Sequence, residues 1–481
     1  MNRGRNTAIL AALATALVAY LFFVERHREP APADAPDAPQ GKVFAKVDGA
    51  KIEEIQIATA GGETTTLRKV DSAWRLVAPI TAPADQTEAT NAASNLASAD
   101  VQRVVDEQPK DLATFGLATP RLTITFRVAG DKAPRTLLLG DKNPTGSDLY
   151  AKLPDAARVF LVSAYLEGTF DKGTFGFRDK RILAFDREKV DKLEVTAGAA
   201  KATVARQADT WSVVAPAEAR ADFGVIEAVL SRLANGQMKA VAWDPDAPAT
   251  TTAATPATAA PGAAKPPAGA TPAKHTFKEF GLDPAEHRLT LGAGSTVAEL
   301  LLGKATPEGD VYAKDASRSI VFTIEKALAD DLTRNPADFR AKDVFALRAF
   351  TATRLEIARA GTTTTFERKK GPEKDAVLKW VAVPPTPAAD EAKIEDLVNK
   401  VATLRAESFV DALPAGAAEF ARVQTAFEDG KKHDAVVIHQ AGPDYYAVRQ
   451  GEAGAGKLLA PAVTDIVTAL DATKKPDAPK K

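Results

Sequence analysis

The sequence holds no cysteine, and only five histidines and two methionines in 481 residues. Without thiols, a disulfide framework, a cysteine zinc site, an iron–sulfur cluster, a thiol nucleophile and an acylated lipoprotein cysteine are all excluded. It also lacks an excess of charge: Lys plus Arg is 62, Asp plus Glu is 63, and the formal net charge is -1. A nucleic-acid binder concentrates cations on its binding face, and a polybasic membrane-surface protein carries a cationic cluster. Neither class is expected, so no nucleic-acid partner is assigned. The sequence contains no P-loop, zincin helix or nucleophile elbow. Gly292-Ala-Gly294 has no third glycine and no cofactor-domain context. His433 and His439 have one carboxylate between them, Asp434, which is not a metal-site pattern, and both read as surface residues. No catalytic, metal-ligating or cofactor-binding residue is assigned, no cofactor is implied, and an enzyme is not expected.

What is present organises the chain well. The length suggests about two to four domains, and 45% hydrophobic with 26% charged residues is ordinary for a folded protein. An uncharged run from Ala8 to Val24 follows Arg3 and Arg5 and precedes Glu25-Arg26-His27-Arg28-Glu29. Its 17 residues meet the lower limit for a helix crossing ~30 Å of hydrocarbon. Tyr20, Phe22 and Phe23 sit near its end, where aromatics favour the interface. A cleaved secretory signal would show a small-residue site just after its core; here Arg26 and Arg28 come first. The expectation is an uncleaved signal anchor within residues 1–29. It makes a single pass through the cytoplasmic (inner) membrane, with the bulk of the chain extracytoplasmic, in a periplasm. Residues 30–42 are rich in Pro and Ala and read as a semi-rigid linker.

Repeats set the domain count. Trp74-Arg-Leu-Val-Ala-Pro79 matches Trp211-Ser-Val-Val-Ala-Pro216, and Trp380-Val-Ala-Val-Pro-Pro385 is a weaker third copy. Asp85, Asp222 and Asp390 follow the tryptophans at similar spacing, and Asp106, Asp244 and Asp411 follow later. Between the aspartates runs a helical period: Phe223, Ile226, Val229 or Leu230, Leu233 in the second copy, and Ile394, Leu397, Val398, Val401, Leu404 in the third. The first copy is Ala-rich there. Phe115-Gly116-Leu117 pairs with Phe280-Gly281-Leu282, and Leu137-Leu138-Leu139-Gly140 with Leu300-Leu301-Leu302-Gly303. Tyr150-Ala151-Lys152 pairs with Tyr312-Ala313-Lys314, and Phe177-Arg178-x-Lys180 with Phe339-Arg340-x-Lys342. Three repeat units follow: 43–186, 187–350 with a disordered Ala/Pro/Thr insertion at 244–275, and a shorter 351–472, then a tail at 473–481. Alternating segments such as Ile52–Ile57, short connections and one helix per copy predict α+β units with antiparallel sheets behind an N-terminal transmembrane helix.

Most repeated residues read as structural. An aspartate just before a helical pattern is expected to cap it, and Glu88 lies at capping-box distance from Asp85. Asp106, Asp244 and Asp411 read as turn starters, the tryptophans as core anchors, and the Phe-Gly-Leu glycines as left-handed turn residues. The pairs Arg178, Lys180 and Arg340, Lys342 each set two cations beside an aromatic. They are the candidates for contact with a partner protein or anionic polymer, against the plainer reading of a solvated helix end with a buried Phe.

These landmarks, behind a single N-terminal apolar segment, resemble the bacterial family called domain of unknown function 4340. The resemblance covers residues 43–350 well and 351–470 weakly. Family members look like membrane-anchored proteins, and many are encoded beside ABC transporters similar to those of gliding motility. The resemblance implies an accessory extracytoplasmic subunit that meets a permease or auxiliary subunit of such a system. It carries no activity and no site residues. The alternative is an envelope structural or glycan-binding module. One test follows from composition alone. Deleting residues 246–273 should leave the melting temperature nearly unchanged, because loop-closure entropy varies slowly with length. A loss of several kcal/mol would show that the tract packs against the repeats.

Overall fold

The computed structural model describes residues 41–208, 210–245, 275–370, 378–385 and 389–474. The 8–24 run, the 30–40 stalk, the insertion from 246 to 274 and the tail beyond Lys474 lie outside them. Among the described residues no helix is long and apolar enough to cross a membrane. The chain divides into two compact units, one ending at Lys180 and the other beginning at Arg181.

The architecture is α+β, with three antiparallel sheets and few helices. The first sheet takes nine strands: Ile52–Thr59, Thr64–Val70, Ala73–Ala78, Ala82–Pro83, Arg103–Asp106, Leu122–Val128, Arg135–Lys142, Asp148–Lys152 and Val159–Ser163. Counted along the chain, their order is 4-3-2-1-6-7-8-9-5. The second sheet repeats that order with nine strands between Lys192 and Ile324. The third keeps the path with eight described strands between Ala352 and Leu458. Two meanders thus lie side by side, and the strand after the helix closes the far edge. The helix must therefore travel from one edge of its sheet to the other, which requires an apolar stripe along its length.

That stripe is present in each copy. Gln86–Ser98 buries Ala89, Ala92, Ala93 and Leu96. Phe223–Asn235 buries Ile226, Val229, Leu230 and Leu233, and Glu391–Ala402 buries Ile394, Leu397, Val398 and Val401. The first helix is Ala-rich for a local reason. A 3-10 turn, Gly49–Lys51, lies against it so closely that a Cβ on Gly49 would meet Ser94 Cα at 3.1 Å. Asp85, Asp222 and Asp390 cap the helices, accepting from the amides of Thr87 and Glu88, of Val225, and of Lys393. The expected capping box does not close. The Glu88 side chain pairs with Lys172 instead, and the amide of Asp85 donates to the carbonyl of Phe177 at 2.9 Å.

The tryptophans are core anchors, with Trp74 and Trp380 each 3% exposed and Trp211 5%. Each also faces a cation across its hairpin. Lys69 Nζ lies 4.9 Å from the Trp74 ring centre, and the guanidinium carbons of Arg206 and Arg368 lie 6.0 and 5.4 Å from those of Trp211 and Trp380. These are directly paired residues in the register of adjacent strands. Truncating Trp74 or Trp211 to Ala should lower stability by ~3–5 kcal/mol, as large-to-small changes in packed cores do. Removing Lys69 should cost about 0.5–1 kcal/mol, the worth of an exposed cation–π contact. Urea unfolding of the variants reads both; equal losses would contradict this ranking.

Candidate interaction site at the repeat joints

The repeated landmarks of the first two copies meet in one local knot. Gly116 and Gly281 adopt φ of 65° and 70°, turning a 3-10 segment back over the sheet. The turn lies so close to the Leu-Leu-Leu-Gly strand that a Cβ on Gly140 or Gly303 would sit 2.1 Å from the carbonyl oxygen of Phe115 or Phe280. Both strands shift register immediately beyond that glycine. Phe115 and Phe280 then pack edge-on against Tyr150 and Tyr312, each at 5.0 Å. The lysine of Tyr-Ala-Lys fills a ring of carbonyls. Lys152 Nζ donates to Leu153, Pro154 and Ala156, and Lys314 Nζ to Asp315, Ala316 and Arg318. Burial lowers the proton affinity of Lys314. These residues hold the sheet together and leave little of themselves for a ligand.

The Phe-Arg-x-Lys segments do something else. Phe177 is fully buried at the end of the short helix Gly173–Gly176, and Phe339 ends the 3-10 turn Pro336–Phe339. From there the backbone runs as a strap beside the residues that precede the long helix of the same repeat. Ala84 bridges Arg178, and Ala221 bridges Arg340. The amide of Asp222 donates to the carbonyl of Phe339 at 2.8 Å, as that of Asp85 does to Phe177. The amides of Asp179 and Ala341 return bonds to the carbonyls of Pro83 and Arg220.

The four candidate cations are therefore not equivalent. Arg178 is 7% exposed. Lys180 is half-buried, donates to the carbonyl of Gly176 at 3.0 Å and lies 5.7 Å from the Phe175 ring. Arg340 stacks on Phe409 at 4.2 Å and reaches Glu452 at 3.4 Å. Lys342 is half-exposed and 3.6 Å from Asp338. The helix end and the buried Phe are as the plainer reading has them, but the two arginines are held inside.

Within the second unit, Arg340 belongs to a cluster that joins the second and third repeats. Glu452 accepts from Arg220 Nε at 2.6 Å and lies 3.3 Å from Arg449 Nε. Asp434, whose side chain is 1% exposed, takes Arg449 on one oxygen and the amide of Ala346 on the other, at 2.6 Å. Arg220 and Arg449 also donate to the carbonyl of Val344, in the segment that leads into the third repeat. Burial first, and then the nearby charge of Arg220, lower the hold of Arg449 on its proton. A cleft of about 350 Å³ lies beside the cluster, lined by Ser212, Arg220, Arg449, Gln450 and Glu452 among others. Arg220 and Glu452 are 232 positions apart, and no motif in the sequence connects them. His433 is exposed as expected, whereas His439 is half-buried. Among the described residues no His, Asp and Glu group could hold a metal ion.

A family model described as Domain of unknown function (DUF4340) matches residues 74–256 and 264–422. No curated protein matches the chain. The joint chemistry itself is testable. Glu452→Ala leaves three guanidinium groups facing one another, and should cost about 3 kcal/mol or more, as breaking a buried pair does. Lys342→Glu should stay within ~0.5 kcal/mol, the usual surface range. Urea unfolding compares them; a neutral Glu452→Ala would show that the joint is held by something other than this cluster.

Proposed function

This chain belongs to the DUF4340 family, and on that premise we propose that it is a membrane-anchored accessory subunit that acts by binding. Its folded repeats stand outside the cytoplasmic membrane and serve an ABC-type export or gliding-motility-like system. The observation that carries the reading is the order of segments. An uncharged 8–24 run and a Pro/Ala stalk precede repeat units whose shared residues are used in structure. A membrane tether followed by a spacer suits a subunit that works beside a permease. Lys180 and Lys342, the half-exposed members of the two basic pairs, remain its candidate partner contacts.

A second reading, an envelope glycan-binding module, is favoured by one cluster in the second repeat. Trp243 stacks on Phe280 at 6.1 Å and meets Phe277 at 5.5 Å, beside Tyr312 and His275. Phe280 is buried beneath the cluster, and the partly exposed rings of Trp243 and Phe277 are the surface it offers to a sugar ring.

Two measurements test the proposal. Membrane fractionation should find the intact chain resistant to salt and alkaline washes, and deleting residues 1–29 should release a soluble folded protein. A mature chain that starts after residue 25 would overturn the anchor. Affinity purification from solubilised membranes should retain a transporter ATPase or permease. Charge reversal at Lys180 and Lys342 should weaken that retention, and high salt should do the same, since exposed charges are screened. Retention of peptidoglycan or another glycan, lost on Trp243→Ala, would favour the second reading.

A further inference from the structure

Across one face of the first sheet runs a row of charge that the other two copies do not share. In the strand register Arg75 faces Arg68, Arg68 faces Glu54, and Glu54 faces Arg127, so three arginines and one glutamate lie side by side on four adjacent strands. The neighbouring row, Leu76, Leu67, Ile55 and Phe126, points the other way and is buried in the core. The matching row of the second copy is Ser212, Ala205, Lys192 and Gly292, with a single charge. That of the third is Val381, Glu367, Arg354 and Ala426, where the two charges cancel at 2.5 Å. The fold therefore does not require the arginines. Like charges directly opposite on adjacent strands are destabilising, so Arg68 against Arg75 is a cost that packing does not explain.

The row borders a cleft of about 580 Å³, a volume that suits a small-molecule ligand. Its lining falls between Ala50 and Ala129, inside the continuously described stretch 41–208. The charged lining residues are Lys51, Glu53, Glu54, Arg68, Lys69 and Arg127. Glu54 is bound to Arg68 at 2.6 Å, and Lys69 donates to the carbonyl of Ala50 at 2.8 Å. The side chains of Lys51, Arg75 and Arg127 make no hydrogen bond or ion pair with any described residue. Glu53, exposed on the rim, makes no ion pair among the described residues. Four cations against two carboxylates leave the cleft with an excess of two positive charges, and Arg75 adds a third beside it.

We propose that this cleft binds a small soluble molecule through a diphosphate group. Guanidinium forks match phosphate oxygens in pairs. Arg68 and Arg127 stand on either side of Glu54, two strand spacings or roughly 10 Å apart, and Lys51 joins them from the turn before the first strand. A singly charged anion would leave the row unbalanced, whereas a diphosphate neutralises it. A concave cleft with cations on its walls suits a soluble ligand better than a flat lipid surface. The proposal rests on the first repeat alone and stands apart from the transporter reading.

The probe is inorganic pyrophosphate, titrated calorimetrically into the full chain in detergent. Binding should saturate and should weaken as sodium chloride is raised, since exposed charges are screened. Arg127→Thr should weaken it roughly tenfold or more, the scale of a lost charge-assisted hydrogen bond. Lys192→Thr, in the matching row of the second copy, should leave it unchanged, and Glu53→Gln should tighten it. Arg75→Thr separates binding from folding: it should weaken binding while raising the melting temperature, because it relieves the facing pair. No saturation, or an equal loss from Lys192→Thr and Arg127→Thr, overturns the proposal. Saturation with citrate or with short-chain phosphatidylglycerol, but not with pyrophosphate, would assign the row to a carboxylate or a lipid headgroup, and either contradicts it.

Discussion

One main-chain hydrogen bond decides how a repeat of this chain is closed. The aspartate that caps the long helix satisfies first-turn amides with its side chain, but its own amide still needs an acceptor. The repeat supplies one from its far end, as the carbonyl of Phe177 or Phe339. An unsatisfied buried amide costs ~1–3 kcal/mol, so the strap is fixed where it lies. The rest follows from that placement. The Phe side chain enters the core, the backbone bridges the residue before the cap, and the chain leaves for the next repeat within a few residues.

The basic residues of the strap take their roles from this geometry. In the second unit, Arg340 leaves the strap between Phe409 and Glu452. Glu452 gathers Arg220 of the second repeat and Arg449 of the third. Charges of one sign outnumber the other within the cluster, which makes Glu452 and Asp434 the residues it depends on. Lys180 and Lys342 stay partly exposed, which is why a partner contact remains reasonable for them and less so for the arginines.

Much of the fold was legible in the sequence because its repeats copy physical necessities. The Trp positions, the capping aspartates and the Phe-Gly-Leu turns recur because a core, a helix start and a left-handed backbone each admit few residue types. The Leu-Leu-Leu-Gly and Tyr-Ala-Lys landmarks were visible as repeats, but their common purpose was not. It depends on a glycine approached within van der Waals distance by a carbonyl from another segment. The capping box at Asp85 and Glu88 was misread because spacing cannot show that Lys172, 84 positions away, competes for the carboxylate. The arginine cluster was invisible for the same reason: its members share no local pattern and meet only when two repeats pack. The first helix is rich in Ala, and close contact with Gly49 favours small side chains there.

The central claim is that the strap carbonyl, and not the helix itself, protects the amide of the capping aspartate. Native-state hydrogen exchange, resolved to single amides in the full chain, tests it most directly. The account predicts that Asp85 and Asp222 exchange as slowly as the core strands of their own repeats. Asp390, for whose amide no strap carbonyl lies among the described residues, should exchange far faster than either. Equal exchange at all three aspartates would contradict it.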